Sequence, residues 1–197
     1  MIEGGVGLEA AAGAATVALA VLALAGVVPA DLMAIAVIVG GAGLLIRGAS
    51  VGSRIRRLMA RTRDQAEEVE LVTGIGAEAV AGIGGVVLGI LALIGLDSGV
   101  LVAAAVVAFG AALFIGAGSK RATTAALRSY DSSTARVVTE GDTGAEILIG
   151  LGVAVLGILA LISVGPAATL SLVGLLALGG GMLLDGVPIL GQAFGIF

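Results

Sequence analysis

Six runs of apolar residues, each near the roughly 20 residues a helix needs to cross a bilayer, dominate this 197-residue chain. They fall at about 8–28, 31–49, 72–96, 99–118, 144–164 and 167–184. Hydrophobic residues make up 59% of the chain, charged residues 12%, and the mean hydropathy is +1.20. A soluble domain carries about 25% charge, and a body this size has nowhere to hide so much apolar surface from water. Transmembrane strands need about 10 residues of alternating polarity; these runs are longer and apolar all round. The sequence therefore predicts an all-α integral membrane protein with a single six-helix membrane domain over residues 1–197.

Short segments separate the spans in pairs: VVPAD (27–31), GLDSG (95–99) and SVGPA (163–167). Turns this short join antiparallel neighbours, so each pair reads as a helical hairpin. The first helices align as GLEAAAGAATVALAVLALAG (7–26), GAEAVAGIGGVVLGILALIG (76–95) and GAEILIGLGVAVLGILALIS (144–163). Glu9, Glu78 and Glu146 coincide, and Gly13, Gly82 and Gly150 coincide four residues later. The second helices match more loosely, as GAGLLIRGAS (41–50), GAALFIGAGS (110–119) and GGGMLLDGVP (179–188). The chain thus reads as three tandem repeats, about 3–50, 70–119 and 140–188, with linkers at 50–71 and 119–143. Each repeat holds an even number of spans, so all insert the same way up. They can then be related by a pseudo-threefold axis along the membrane normal, unlike inverted repeats, whose axis lies in the membrane plane.

All ten basic residues avoid the three hairpin turns: Arg47, Arg54, Arg56, Arg57, Arg61, Arg63, Lys120, Arg121, Arg128 and Arg136. The turns carry only Asp31 and Asp97. By the positive-inside rule the linkers and both termini are cytoplasmic, with the turns facing the other side. The N-terminus has Glu3 and Glu9 and no basic residue before its apolar run. A secretory signal wants a positive start, so the first helix is expected to be retained. The linker SVGSRIRRLMARTRDQAEEVE, with five Arg followed by four acids, either fixes topology as a solvated connector or lies at the headgroups. In the second case residues 54–63 contact anionic lipid, at about 1 kcal/mol per basic residue. The tail DGVPILGQAFGIF (185–197) replaces the basic linker; Pro188 is expected to end the sixth helix, leaving Phe194 and Phe197 as anchors.

The chain holds no Cys and no His. The usual zinc, haem and iron–sulfur ligands are missing, as are Ser-His-Asp and Cys-His nucleophile systems. No two catalytic polar residues share a span at mid-depth, and no phosphate-loop glycine pattern is complete. The expectation is a non-enzyme with no cofactor, no metal and no nucleic-acid partner. Most of the 34 glycines lie within spans, Gly85 and Gly89 forming G-x-x-x-G. In lipid, helices associate by close backbone contact; Gly13, Gly82, Gly85, Gly89 and Gly150 predict tight packing in the bundle, between protomers of a homo-oligomer, or against a partner in a membrane complex.

The glutamates admit two readings. Glu78 lies 17 residues before Gly95, roughly 25 Å at 1.5 Å per residue, which sets it near the cytoplasmic boundary. Each carboxylate can cap its helix, pair with an Arg on a neighbouring second helix, and serve structure alone. Alternatively, if the first helices line the axis, the three converge into an acidic ring of the kind that attracts cations to a pore. Arg47, Gly116 and Asp185 are equivalent near the ends of the second helices. Arg47 and Asp185 form a candidate polar pair, with snorkelling of Arg47 to the interface the simpler expectation.

The hairpin VLGILALISVGPAATLSLVGLLALGGGMLL (155–184) resembles the HdeD-like small membrane proteins, which have six spans, short Pro-bearing turns and a recurring G-I-L-x-L pattern. VLGILALIGLDSGVLVAAAVVAFGAALFIG (87–116) departs from it by placing Asp97 in the turn. The resemblance implies a bacterial inner-membrane protein tied to acid or envelope stress, with no catalytic site to transfer, and the three aligned glutamates are not carried over from it. The residues themselves point to a structural or assembly role in the membrane, with a cation or proton pathway through Glu9, Glu78 and Glu146 as the alternative.

Overall fold

A computed structural model describes the backbone of residues 4–59, 68–128 and 139–193, with side chains over 7–49, 76–118 and 144–184. It contains α1 (Gly4–Leu24), α2 (Pro29–Met59), α3 (Glu68–Leu93), α4 (Ser98–Arg128), α5 (Thr139–Leu161) and α6 (Ala167–Ala193), and no strand among the described residues. All six helices contain a segment long and apolar enough to cross a membrane. The chain is a multi-pass helical membrane protein.

The turns are built alike. In the first, Gly26 N–H bonds Ala23 O and Val27 N–H bonds Leu22 O. This pair of bonds satisfies the carbonyls at the end of a helix when the residue after it adopts a left-handed conformation. Gly95 and Ser163 occupy the same place, with the same bonds to Ala92 and Leu91, and to Ala160 and Leu159. Their φ values are 87° for Gly26, 91° for Gly95 and 57° for Ser163. The third turn is one residue longer, the addition being accommodated at Gly165, whose φ is 90°. Pro29 opens α2 without sacrificing a needed N–H. Asp97 caps α4, its carboxylate accepting from Val100 N–H at 3.4 Å.

All three second helices run further than the apolar pattern predicts, α4 reaching Arg128 where the span is expected to end near residue 118. Among the described residues the start of the first linker continues α2 to Met59 and its end belongs to α3; at 31 residues α2 measures about 46 Å, well beyond a hydrocarbon layer about 30 Å thick. α6 passes through Pro188 to Ala193, where a stop is expected. Pro188 forfeits one bond, to Leu184 O, and intact neighbouring turns carry the helix across the gap. Phe194 and Phe197 lie outside the described residues, as do the side chains of residues 54–63.

Each helix packs on its neighbours in sequence, and α6 packs back on α1, closing a ring. The second helices α2, α4 and α6 also touch one another, whereas no contact joins α1, α3 and α5 among the described residues. The second helices are therefore central, and the expectation that the first helices line the axis does not hold. The reason is legible in the side chains. On α2 the buried positions Met33, Val37, Gly40, Leu44 and Arg47 alternate steps of four and three, as do Val102, Val106, Phe109, Leu113 and Gly116 on α4. α6 follows with Ser171, Leu175, Leu178 and Met182. This is the heptad stripe of a three-helix seam. The first helices instead turn Leu8, Val80 and Leu148 outward.

Glycine sets how closely the outer helices approach. A Cβ on Gly82 would stand 2.7 Å from Gly41 O, one on Gly13 2.8 Å from Gly179 O, and one on Gly150 3.0 Å from Gly110 O. Gly89 lies against the α2 backbone at Ala34, and Gly85 leaves room for the buried Phe109 ring. All five glycines singled out by sequence make contacts within the bundle. Gly84, by contrast, has nothing within 4 Å of its notional Cβ. Gly82→Ala is expected to destabilise the bundle by about 1–3 kcal/mol through overpacking, whereas Gly84→Ala stabilises it by about 0.5–1 kcal/mol. Unfolding in detergent micelles measures both; equal effects would contradict the packing account.

Candidate functional site

The glycine contacts fix the rotation of the outer helices, and so fix where their glutamates point. Glu78 precedes Gly82 by one turn on α3, so once Gly82 is pressed on Gly41 the carboxylate faces the same neighbour, α2. Glu9 and Glu146 stand one turn before Gly13 and Gly150 in the same manner. All three are buried, Glu78 at 2% exposure and the others at 7%.

They meet on one guanidinium. Arg47 Nη1 lies 3.5 Å from Glu9 Oε1 and Nε lies 3.6 Å from Glu78 Oε1, while Nη2 donates a hydrogen bond to Glu146 Oε1. Each nitrogen thus addresses a carboxylate from a different outer helix. A planar, delocalised fork can serve three directions at once, which a lysine ammonium on a flexible stem does less well. Arg47 is only 6% exposed, so the expected snorkelling does not occur: the carboxylates lie inward, and the arginine follows them. Asp185 belongs to α6, but its side chain lies outside the described residues, and the proposed Arg47–Asp185 pair has no described geometry.

Gly116, the equivalent of Arg47 on α4, completes the fit. A Cβ there would stand 2.5 Å from Glu78 Oε1; the missing side chain leaves space for the carboxylate. Sequence reasoning placed Gly116 only as an equivalent position and missed this role. It also weighed an Arg partner for each glutamate without seeing that one arginine serves all three. The available signal was GLLIRGAS, where a single base interrupts an apolar stretch.

Three carboxylates against one guanidinium leave two excess negative charges when all are ionised. Among the described side chains Arg47 is the one cation. No group of three or more His, Cys, Asp or Glu is arranged to hold a metal ion among the described residues. A cavity of about 30 Å³ adjoins Arg47 and Glu146. Towards the hairpin turns the centre is filled: Leu44, Leu113 and Met182, then Phe109 and Leu178, then Val37, Val106 and Leu175 all belong to one buried apolar cluster. This arrangement can hold charge at one end of the bundle and offers no continuous polar path along the central helices.

Comparison with protein-family models, with curated proteins and with solved structures finds no match to this chain. The class is set by fold and site: a six-helix membrane protein with a buried arginine clasped by three glutamates.

Removing the guanidinium strands three buried carboxylates, and breaking a buried pair in this way costs about 3–5 kcal/mol. Arg47→Leu is expected to destabilise the bundle on that scale in detergent unfolding. Glu9→Gln keeps the shape and lowers the excess charge, so its effect is about 1 kcal/mol or less. The reverse ranking would contradict the geometry.

Proposed function

We propose that this chain is a non-enzymatic integral membrane protein with a structural or assembly role, made of three copies of one hairpin about a pseudo-threefold axis along the membrane normal. The linkers and both termini face the cytoplasm of a bacterial-type inner membrane. The observation that carries the reading is the meeting of Glu9, Glu78 and Glu146 on Arg47 above a centre filled with apolar side chains. Such a cluster ties all three hairpins together and leaves no water-filled route.

The copying is supported by contacts that recur around the ring. Gly41 meets Gly82, Gly110 meets Gly150, and Gly179 meets Gly13, each joining the second helix of one hairpin to the first helix of another. The three turns also share their bonds. The resemblance to HdeD-like proteins adds a setting, acid or envelope stress, and the same six-span plan. A homo-oligomer or a membrane complex would form across the outward faces of α1, α3 and α5, since the matched glycines are already engaged within the chain.

The second reading, a cation or proton pathway, is favoured by the gathering of three carboxylates on one guanidinium. A flux assay separates the two. Vesicles containing the parent protein and loaded with proton- or potassium-sensitive dye are expected to leak no faster than protein-free vesicles. Flux in the parent that disappears in the Glu9→Gln, Glu78→Gln, Glu146→Gln triple variant would replace the structural reading with the pathway.

A further inference from the structure

One turn of α6 departs from the other two central helices. Gly179, Gly180 and Gly181 align with Gly41, Ala42 and Gly43 of α2, and with Gly110, Ala111 and Ala112 of α4. Gly179 is required by packing, since a Cβ there would stand 2.8 Å from Gly13 O. Gly43 is required as well, its notional Cβ lying 3.1 Å from that of Ala12. Gly180 and Gly181 are not. Nothing lies within 4 Å of a Cβ on Gly180, and one on Gly181 would make ordinary contact with Ile149 at 3.4 Å. Alanine fits at both positions, stands at both in α4, and holds a helix better than glycine does. Close approach therefore does not account for this adjacent pair within α6.

The cavity beside the cluster lies at the same turn. It opens between α5 and α6, with Gly181 and Met182 on one wall, Ile149 on the other, and Arg47 and Glu146 bordering it. Against α1 the turn is seated firmly: a Cβ on Gly13 would stand 2.8 Å from both Gly179 O and Met182 Cβ. Against α5 it is loose. Further along α6, Pro188 leaves Leu184 O without its helical donor, and helices bend at glycine pairs and at prolines. We propose that the end of α6 beyond Gly179 is a gate. Hinged at Gly180 and Gly181 and pivoting on its contact with Gly13, it swings away from α5 and admits water to the Arg47–Glu146 contact. Water reaches one end of the bundle only, because Phe109 and Leu175 fill the centre towards the hairpin turns. The gate lets the buried ion pairs meet bulk water without unfolding, which goes beyond a purely structural role and does not require a path across the membrane.

Thiol labelling of the full chain in lipid nanodiscs tests this directly. The sequence has no Cys, so one introduced thiol is the sole target of a charged methanethiosulfonate, a reagent too large for the closed cavity of about 30 Å³. Met182 and Leu44 stand at aligned positions and are buried alike, at 1% and 0% exposure, but only Met182 lines the cavity. Met182→Cys is expected to react at least about tenfold faster than Leu44→Cys. Adding Gly180→Ala and Gly181→Ala is expected to slow Met182→Cys by about tenfold, the combined helix preference of two alanines over two glycines, and to leave Leu44→Cys unchanged. Amide hydrogen exchange on the cysteine-free chain gives a second measure that needs no core substitution. The amides of Met182–Leu184 are expected to exchange faster than those of Leu44–Ile46, and to lose that difference in the double alanine variant. Three results would overturn the proposal: an unreactive Met182→Cys, equal rates at the two thiols, or rates and exchange that the alanines leave unaltered. None of these outcomes depends on whether the parent conducts ions, so the gate and the structural reading fail separately.

Discussion

A guanidinium buried among three carboxylates is the interaction on which the rest of the bundle depends. Ionised side chains leave water only when partnered, and the cost of stranding one is several kcal/mol. Here the partners come from separate elements: Glu9 from α1, Glu78 from α3 and Glu146 from α5, around Arg47 of α2. Each glutamate reaches across to an arginine on a helix other than its own. The charged end of the protein is therefore settled only when all three helix pairs are together, and chain segments that resemble one another become one cooperative unit.

Packing delivers these groups to one point. Below the cluster the central seam is filled mostly by apolar side chains, with Ser171 as the buried polar member of the α6 stripe, and it holds α2, α4 and α6 together. The outer helices meet that core through glycine, where backbones come close enough that a methyl group would collide with a carbonyl oxygen. Lipid supplies no hydrophobic drive between helices, so such contact must supply the association. It also fixes helix rotation. A glycine pressed against a neighbour leaves the glutamate one turn earlier with a single direction to face, inward. The lipid-facing residues on the opposite sides of these helices have no such constraint.

Much of this plan was legible in the linear sequence, for physical reasons. Span length and turn length respond to local rules, so the six helices and the three short turns that pair them follow from pattern alone. The shared register of Glu9, Glu78 and Glu146 marked the residues of the site. The burial of Arg47 was not legible, because an arginine near the end of a span ordinarily reaches for water; its direction is decided by carboxylates that no local rule places nearby. Nor could composition say whether the first or second helices are central. That information lies in a heptad stripe on α2, α4 and α6 that a uniformly apolar reading overlooks. At Pro188 local propensity pointed to a stop, and the continuing backbone of α6 overrode it.

Function, on the proposed reading, is a consequence of closure. One end of the bundle holds concentrated, buried charge, the centre is filled with apolar side chains, and the glycines matched between the repeats are spent on intramolecular contact, so what the protein offers the membrane is a closed helical body. The measurement that most directly tests the central claim is a thermodynamic cycle on unfolding in micelles. Arg47→Leu is made in the parent and again in a background where Glu9, Glu78 and Glu146 are all glutamine. The account predicts a large loss of stability in the parent and almost none in the glutamine background. The same loss in both would show that Arg47 stabilises the protein by something other than the three carboxylates, and would contradict it.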